Sequence, residues 1–293
     1  MSHVCELKEL NALVSLMDEP NESMFSEIRN KVMSFGKLAI PVLEEAWVNT
    51  FTDHDSERIE KLIDEIRRQE FVSDFSAWTQ ESNNDIIPGF IILARYLITD
   101  FDEDLYKTQI DKLIRETWLE INDSLTALEK IKVINHIFYS VYKFSSYLGP
   151  DVKTDTYLLN KVFDYKKGNS LSMGILYIAI AQSLKIPVFG VNLPGHFVLA
   201  YMDDLDDIRI PNEYNEADVL FYLNPANNGA IFTRNEIVHF ANQMKITPKP
   251  DFFLPCSNQV VITRVINELI ILFAKESNPI KSVALETLLQ SLK

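Results

Sequence analysis

The chain has 293 residues, 47% of them hydrophobic, enough for one large domain or two ordinary ones. Lys and Arg number 28 against 42 Asp and Glu, a formal net charge of −14. So acidic a chain, without a Lys/Arg run to form a basic face, is not expected to bind nucleic acid.

The opening MSHVCELKEL has no basic stretch leading into an apolar run, so no secretory leader is expected. The longest apolar runs, such as Ile175 to Ala181, fall far short of the roughly 20 residues of a membrane span. Cys5 and Cys256 are the two cysteines; they lie at opposite ends and form neither a metal-type spacing nor a disulfide framework. The expectation is a cytoplasmic protein that makes no membrane contact and carries no cofactor.

Residues 1–80 read as helices. Leu7, Leu10, Leu13, Val14 and Met17 recur at three- and four-residue steps, giving one apolar face, and Asp18-Glu19-Pro20-Asn21 ends that helix. A second helix runs from about Met24 to Ser34, with Gly36 as its C-terminal stop. A third begins near Leu38, has Pro41 in its first turn, and carries Ile40, Leu43, Ala46 and Trp47. A fourth, from about Ser56, turns Ile59, Leu62, Ile63 and Ile66 inward. The rhythm loosely resembles a pair of HEAT-like repeats, too few to stack alone, and reads as a helical cap packed on the rest of the chain.

Residues 85–146 hold further helices, marked by Ile91, Leu93, Ala94, Leu97 and Ile98, by Leu113, Ile114, Trp118 and Ile121, and by Leu128, Ile131, Val133, Ile134, Ile137 and Phe138. His136, alone in that last run, reads as a core or boundary residue rather than a ligand. Tyr147-Leu148-Gly149-Pro150-Asp151 is a breaker.

The densest stretch is 157–201. Gly168-Asn169-Ser170 opens a helix, since Asn and Ser favour N-caps, and the helix runs to about Leu184, apolar nearly all round and therefore buried. Lys185-Ile186-Pro187 ends it. Val188 to Val191 reads as a strand, Pro194-Gly195 as a turn, and His196 to Tyr201 as a second strand. An acidic loop extends from Asp203 to Asp218, with five more carboxylates between them. It matches no calcium-loop spacing and reads as solvated. A third strand, Val219 to Asn224, ends at Pro225. A nucleophile at such a helix start, a histidine on the facing strand and an Asp or Asn on the next form the arrangement of papain-like enzymes.

The segment GNSLSMGILYIAIAQSLKIPVFGVNLPGHFVLAY, with LNPANNG some way after it, is similar to the transglutaminase-like superfamily and closest to its SirB-type branch. Counting back from Lys185-Ile186-Pro187 puts the superfamily's cysteine position on Ser170. The family histidine falls on His196 and the family aspartate on Asn224. The SirB-type branch typically lacks the cysteine and has a serine two residues on, matching Ser172; Pro194-Gly195-His196-Phe197 is also typical of it. Residues 16–47 agree with its helical N-terminal region.

The resemblance implies a mainly helical α+β fold: a HEAT-like N-terminal region (1–80), a papain/transglutaminase-like core with a small antiparallel sheet (85–245), and a short helical C-terminal tail (250–293). It leaves two functions open. The one given more weight is a non-catalytic protein that keeps the cleft for a peptide or protein partner. The other is a hydrolase or acyltransferase acting on an amide or ester, with Ser170 or Ser172 as nucleophile, His196 as base and Asn224 as orienter. A hydroxyl is far less acidic than a thiol, and a helix dipole of about 0.3–1 kcal/mol does not make up that difference. The plainer readings are a helix cap for Ser170 and an Asx turn for Asn224. Oligomeric state is not legible.

Overall fold

A computed structural model describes residues 2–49, 52–81, 85–147, 149, 153–203 and 215–291. The chain divides into two compact units, residues 1–77 and 78–293.

The first unit is helical: α1 (Ser2–Val14), α2 (Glu22–Met33), a 3-10 turn (Gly36–Leu38), α3 (Ala39–Asn49) and most of α4 (Asp53–Gln80). Asn21 caps α2, its side chain accepting from the N–H groups of Ser23 and Met24. Leu10, Val14 and Met17 of the first stripe meet Val32, Leu43, Ile59, Leu62 and Ile66 in one buried cluster. Arg58 ties the layers, its guanidinium 4.0 Å over the Phe25 ring and donating to the Glu19 carbonyl at 2.9 Å. The expected stripes are wider than the faces that become covered: Leu7 and Trp47 are exposed here, as are Trp118 and Leu128 in the second unit. A helix needs only part of its apolar arc against a core, so the outermost residues of each arc remain wet. The stop after α2 also differs. Ser34 is the cap, and Gly36, at φ +55°, opens the 3-10 turn, where a Cβ would come within 2.6 Å of Glu70 Oε1.

The second unit begins with α5 (Ile86–Leu97), α6 (Glu103–Glu120) and α7 (Ala127–Asn135), the last opened by a capping box between Thr126 and Glu129. Where sequence reads one continuous helix, the turn widens into a π-helix at His136–Val141, and His136 is exposed rather than a core residue. Two short parallel strands, β1 (Ser145–Ser146) and β2 (Lys167–Gly168), flank α8 (Leu159–Tyr165). Then comes α9 (Ser170–Ser183), buried without a break from Leu171 to Ala181. β3 (Val188–Leu193), β4 (His196–Met202), β5 (Val219–Asn224) and β6 (Ala230–Phe232) form an antiparallel sheet in that order. α10 (Arg234–Gln243), α11 (Asn258–Lys275) and α12 (Pro279–Ser291) complete the unit. The fold is α+β and mainly helical with a small antiparallel sheet.

Alternation along the strands decides what each sheet face covers. Phe197 and Leu199 point at α9; a Cβ on Gly174 of α9 would stand 2.5 Å from the Phe197 ring and 3.5 Å from Leu199. Val198, Ala200 and Met202 point the other way and pack with Val191, Tyr222, Ile237 of α10, Phe252 and Phe253. α9 therefore lies on one face of the sheet and α10 on the other. No helix among the described residues is long and apolar enough to cross a membrane, and no group of metal-binding side chains occurs among them. Residues 204–214 of the acidic loop, and Leu148, Pro150 and Asp151 of the breaker, lie outside the described residues.

Candidate functional site

The start of α9 is a capping box. The Asn169 side chain accepts from the N–H groups of Leu171 at 2.8 Å and Ser172 at 3.0 Å. In return the Ser172 hydroxyl accepts from the Asn169 N–H at 3.1 Å and donates to the Thr156 carbonyl at 2.7 Å. Ser172 is only 1% exposed. Gly168 completes the fit, since a Cβ there would fall 2.5 Å from the Ser172 oxygen. Asn169 Nδ2 donates to both the carbonyl and the hydroxyl of Thr156. Thus Gly168, Asn169 and Ser172 make a buried joint between the helix and residues 154–156. Ser170, the first helical residue, is partly buried, and its hydroxyl makes no hydrogen bond among the described residues.

His196 opens β4, paired with Leu193 across the Pro194-Gly195 turn. Its neighbour Phe197 points at α9, so its own side chain lies on the other face, where the imidazole meets the Phe240 ring of α10 edge-on at 4.3 Å. The ring is exposed on one side, while its packed side is desolvated. That desolvation, with the positive Arg264 nearby, lowers its pKa below the ordinary histidine value and favours the neutral form. Asn224 ends β5 two residues after Tyr222, which packs on the α10 face. The Asn224 side chain is turned back onto its own chain: Oδ1 accepts from the Ala226 N–H at 3.0 Å, an Asx turn. Its carbonyl accepts from the N–H groups of Asn227 and Gly229. Among the described residues no hydrogen bond joins Ser170 or Ser172 to His196, or His196 to Asn224.

Cys256 does not stand in for the missing thiol. Burial pushes its thiol up to about 12, so it stays protonated at neutral pH. Its N–H is bonded to the Gly190 carbonyl at 2.8 Å, fixing the segment before α11 to the edge of β3.

Sequence reasoning missed Arg264. From α11, its Nη1 donates to Asn192 Oδ1 at 2.5 Å and to the carbonyls of Leu193 and His196, each at 2.9 Å. One guanidinium thereby clamps both sides of the β3–β4 turn. Its signal was the one cation in the largely apolar run VVITRVINELIILF. A cleft of about 670 Å³ lies beside this clamp, walled by Leu193, Pro194 and Gly195 on one side and by Gln259, Val260, Thr263, Arg264 and Asn267 of α11 on the other.

Residues 104–267, more than half of the chain, match the family model described as the transglutaminase-like superfamily. The chain belongs to that superfamily, as a SirB-type member. A UPF0162 protein of Xylella fastidiosa is 23% identical over 185 residues, covering 61% of each chain. Protein SirB1 of Salmonella typhimurium is 22% identical over 134 residues, 46% of this chain and 50% of that one. A UPF0162 protein of Pasteurella multocida is 30% identical over 91 residues, 31% of this chain and 34% of that one. The chain thus spans between about a third and three-fifths of the length of these relatives. No solved structure matches it significantly.

Proposed function

We propose that this is a non-catalytic transglutaminase-like protein that binds a peptide or protein segment in the cleft between the β3–β4 turn and α11. One observation carries the reading: each polar side chain at the superfamily's reactive positions has a structural partner or none at all. Ser172 is spent on the capping box and Asn224 on its turn. The His196 ring packs against Phe240, on the face of the sheet away from α9. In a triad the nucleophile, base and orienter lie within hydrogen-bond reach in series, so that the base takes the nucleophile's proton as it attacks, and no such series exists among the described residues.

The cleft suits an extended chain. Gln259, Thr263 and Asn267 succeed one another at four-residue steps on one side of α11, where they can pair with the backbone groups of a peptide. Pro194 and Val260 supply apolar contact. A Cβ built on Gly195 meets nothing within 4 Å, so the turn leaves open space in front of it. The test is selection from a random-peptide library, with affinities of the selected peptides measured on the wild type and on Thr263→Trp, which fills the cleft from the helix side. The reading expects selected peptides that Thr263→Trp no longer binds while its unfolding midpoint is kept. Selected peptides that bind both proteins equally would contradict it.

A further inference from the structure

A second groove lies at the same end of the sheet as the β3–β4 turn but toward its β6 edge, where the turn after β5 docks on the end of α7 and the π-helix. Four hydrogen bonds fix this junction. Tyr177 donates to Asn135 Oδ1 at 2.9 Å, and Asn135 Nδ2 donates to the Gly229 carbonyl at 3.2 Å. Tyr139 donates to the Pro225 carbonyl at 2.9 Å, and Ser146 to the Ala226 carbonyl. Gly229 could be nothing larger, because a Cβ would overlap Asn135 Oδ1 at 2.0 Å. Asn228, left-handed at φ +50°, is held at the rim by this junction.

The groove has a volume of about 390 Å³ and is lined by Lys132, Asn135, His136, Tyr139, Ser140 and Asn228. None is a carboxylate, in a chain with 42 acidic residues; the Tyr139 hydroxyl is spent on the Pro225 carbonyl, and Lys132, His136, Ser140 and Asn228 bring side chains that can donate to a ligand. The nearest acid in sequence, Glu129, accepts from the N–H and hydroxyl of Thr126 and also feels the charge of Lys132, without forming an ion pair with it. Among the described residues Lys132 is in no ion pair, and the side chains of His136, Ser140 and Asn228 are in no hydrogen bond. Lys132, His136 and Ser140 recur at four-residue steps across the passage from α-helix to π-helix, a local widening common at functional sites. The other wall comes from a turn fixed in place, so Asn228 is positioned before a ligand arrives.

From this set of donors we infer that the groove binds the phosphate group of a small phosphorylated molecule. A phosphate offers oxygens on several sides, which suits donors converging from a helix and a turn, and Lys132 supplies a fixed positive charge. The site is independent of the cleft at α11 and of the reading given for it.

The test is an amide-resolved NMR titration of the full chain with inorganic phosphate, at ionic strength held constant against chloride. It is repeated on Lys132→Ala and His136→Ala, whose side chains are exposed and whose unfolding midpoints are checked first. Saturable shifts confined to residues 132–140 and 226–229, weakened about tenfold or more by Lys132→Ala, would support the inference. Glycerol 3-phosphate is expected to bind at least as well as phosphate. Vesicles containing phosphatidic acid serve as the lipid arm. Shifts that chloride reproduces, shifts unchanged in both variants, or binding to the vesicles without binding to either soluble phosphate would each overturn it.

Discussion

Replacing Ser172 by Ala separates a structural serine from a reactive one. The hydroxyl is buried and has two roles, accepting from the Asn169 N–H and donating to the Thr156 carbonyl. The Thr156 carbonyl keeps the Asn169 amide as a partner after the change, but the Asn169 N–H loses its shortest acceptor. Loss of the reciprocal half of a capping box is worth about 1 kcal/mol. The lost donation from the Ser172 hydroxyl to the Thr156 carbonyl adds on the order of 1 kcal/mol more. Together about 2 kcal/mol, at roughly 2–4 °C per kcal/mol for a unit of this size, lowers the unfolding midpoint by about 4–8 °C. Ser170→Ala, which breaks no hydrogen bond, is expected within about 0.5 kcal/mol of the wild type. Differential scanning calorimetry of both variants is the assay. A wild-type midpoint for Ser172→Ala, or a larger loss for Ser170→Ala, would refute the capping-box account.

The same geometry sets other expectations. Arg264→Ala removes three donations to the β3–β4 turn from a mostly buried guanidinium, and is expected to cost about 2–3 kcal/mol, with faster amide exchange across residues 192–197. Gly174→Ala forces a methyl into the Phe197 ring and is expected to destabilise by about 1–3 kcal/mol in denaturant titration. The His196 pKa, measured by NMR, is expected below the ordinary 6.5 and should rise in Phe240→Ala, which exposes the packed side of the ring. The unfolded chain binds a proton at His196 more readily than the folded one, so this residue's contribution to stability is complete above about pH 6.5 and declines as pH falls below it.

The buried helix, the three strands after it and their order were legible because their signals are local and strong. Gly-Asn-Ser opens α9, an unbroken apolar run fills it, and Pro-Gly turns β3 into β4. The face on which His196 lies was not legible. It depends on which of two alternating residues, His196 or Phe197, meets α9, and Gly174 settles that by leaving room only for a phenyl ring. The roles of the two serines were likewise hidden, because the partner of Ser172 is Thr156, 16 residues away and joined by no pattern. Arg264 and the junction of Asn135 and Tyr139 with residues 225–229 depend on long-range contacts that periodicity does not report. The π-helix escaped for a related reason: its apolar spacing fits an ordinary helix just as well.

On the proposed reading the superfamily's reactive positions do not act together as a catalytic set in this chain. The test is labelling with a serine-reactive fluorophosphonate, read by intact mass on folded protein at neutral and alkaline pH. No adduct is expected on the wild type. An adduct on Ser170 or Ser172 that disappears in His196→Ala would contradict it.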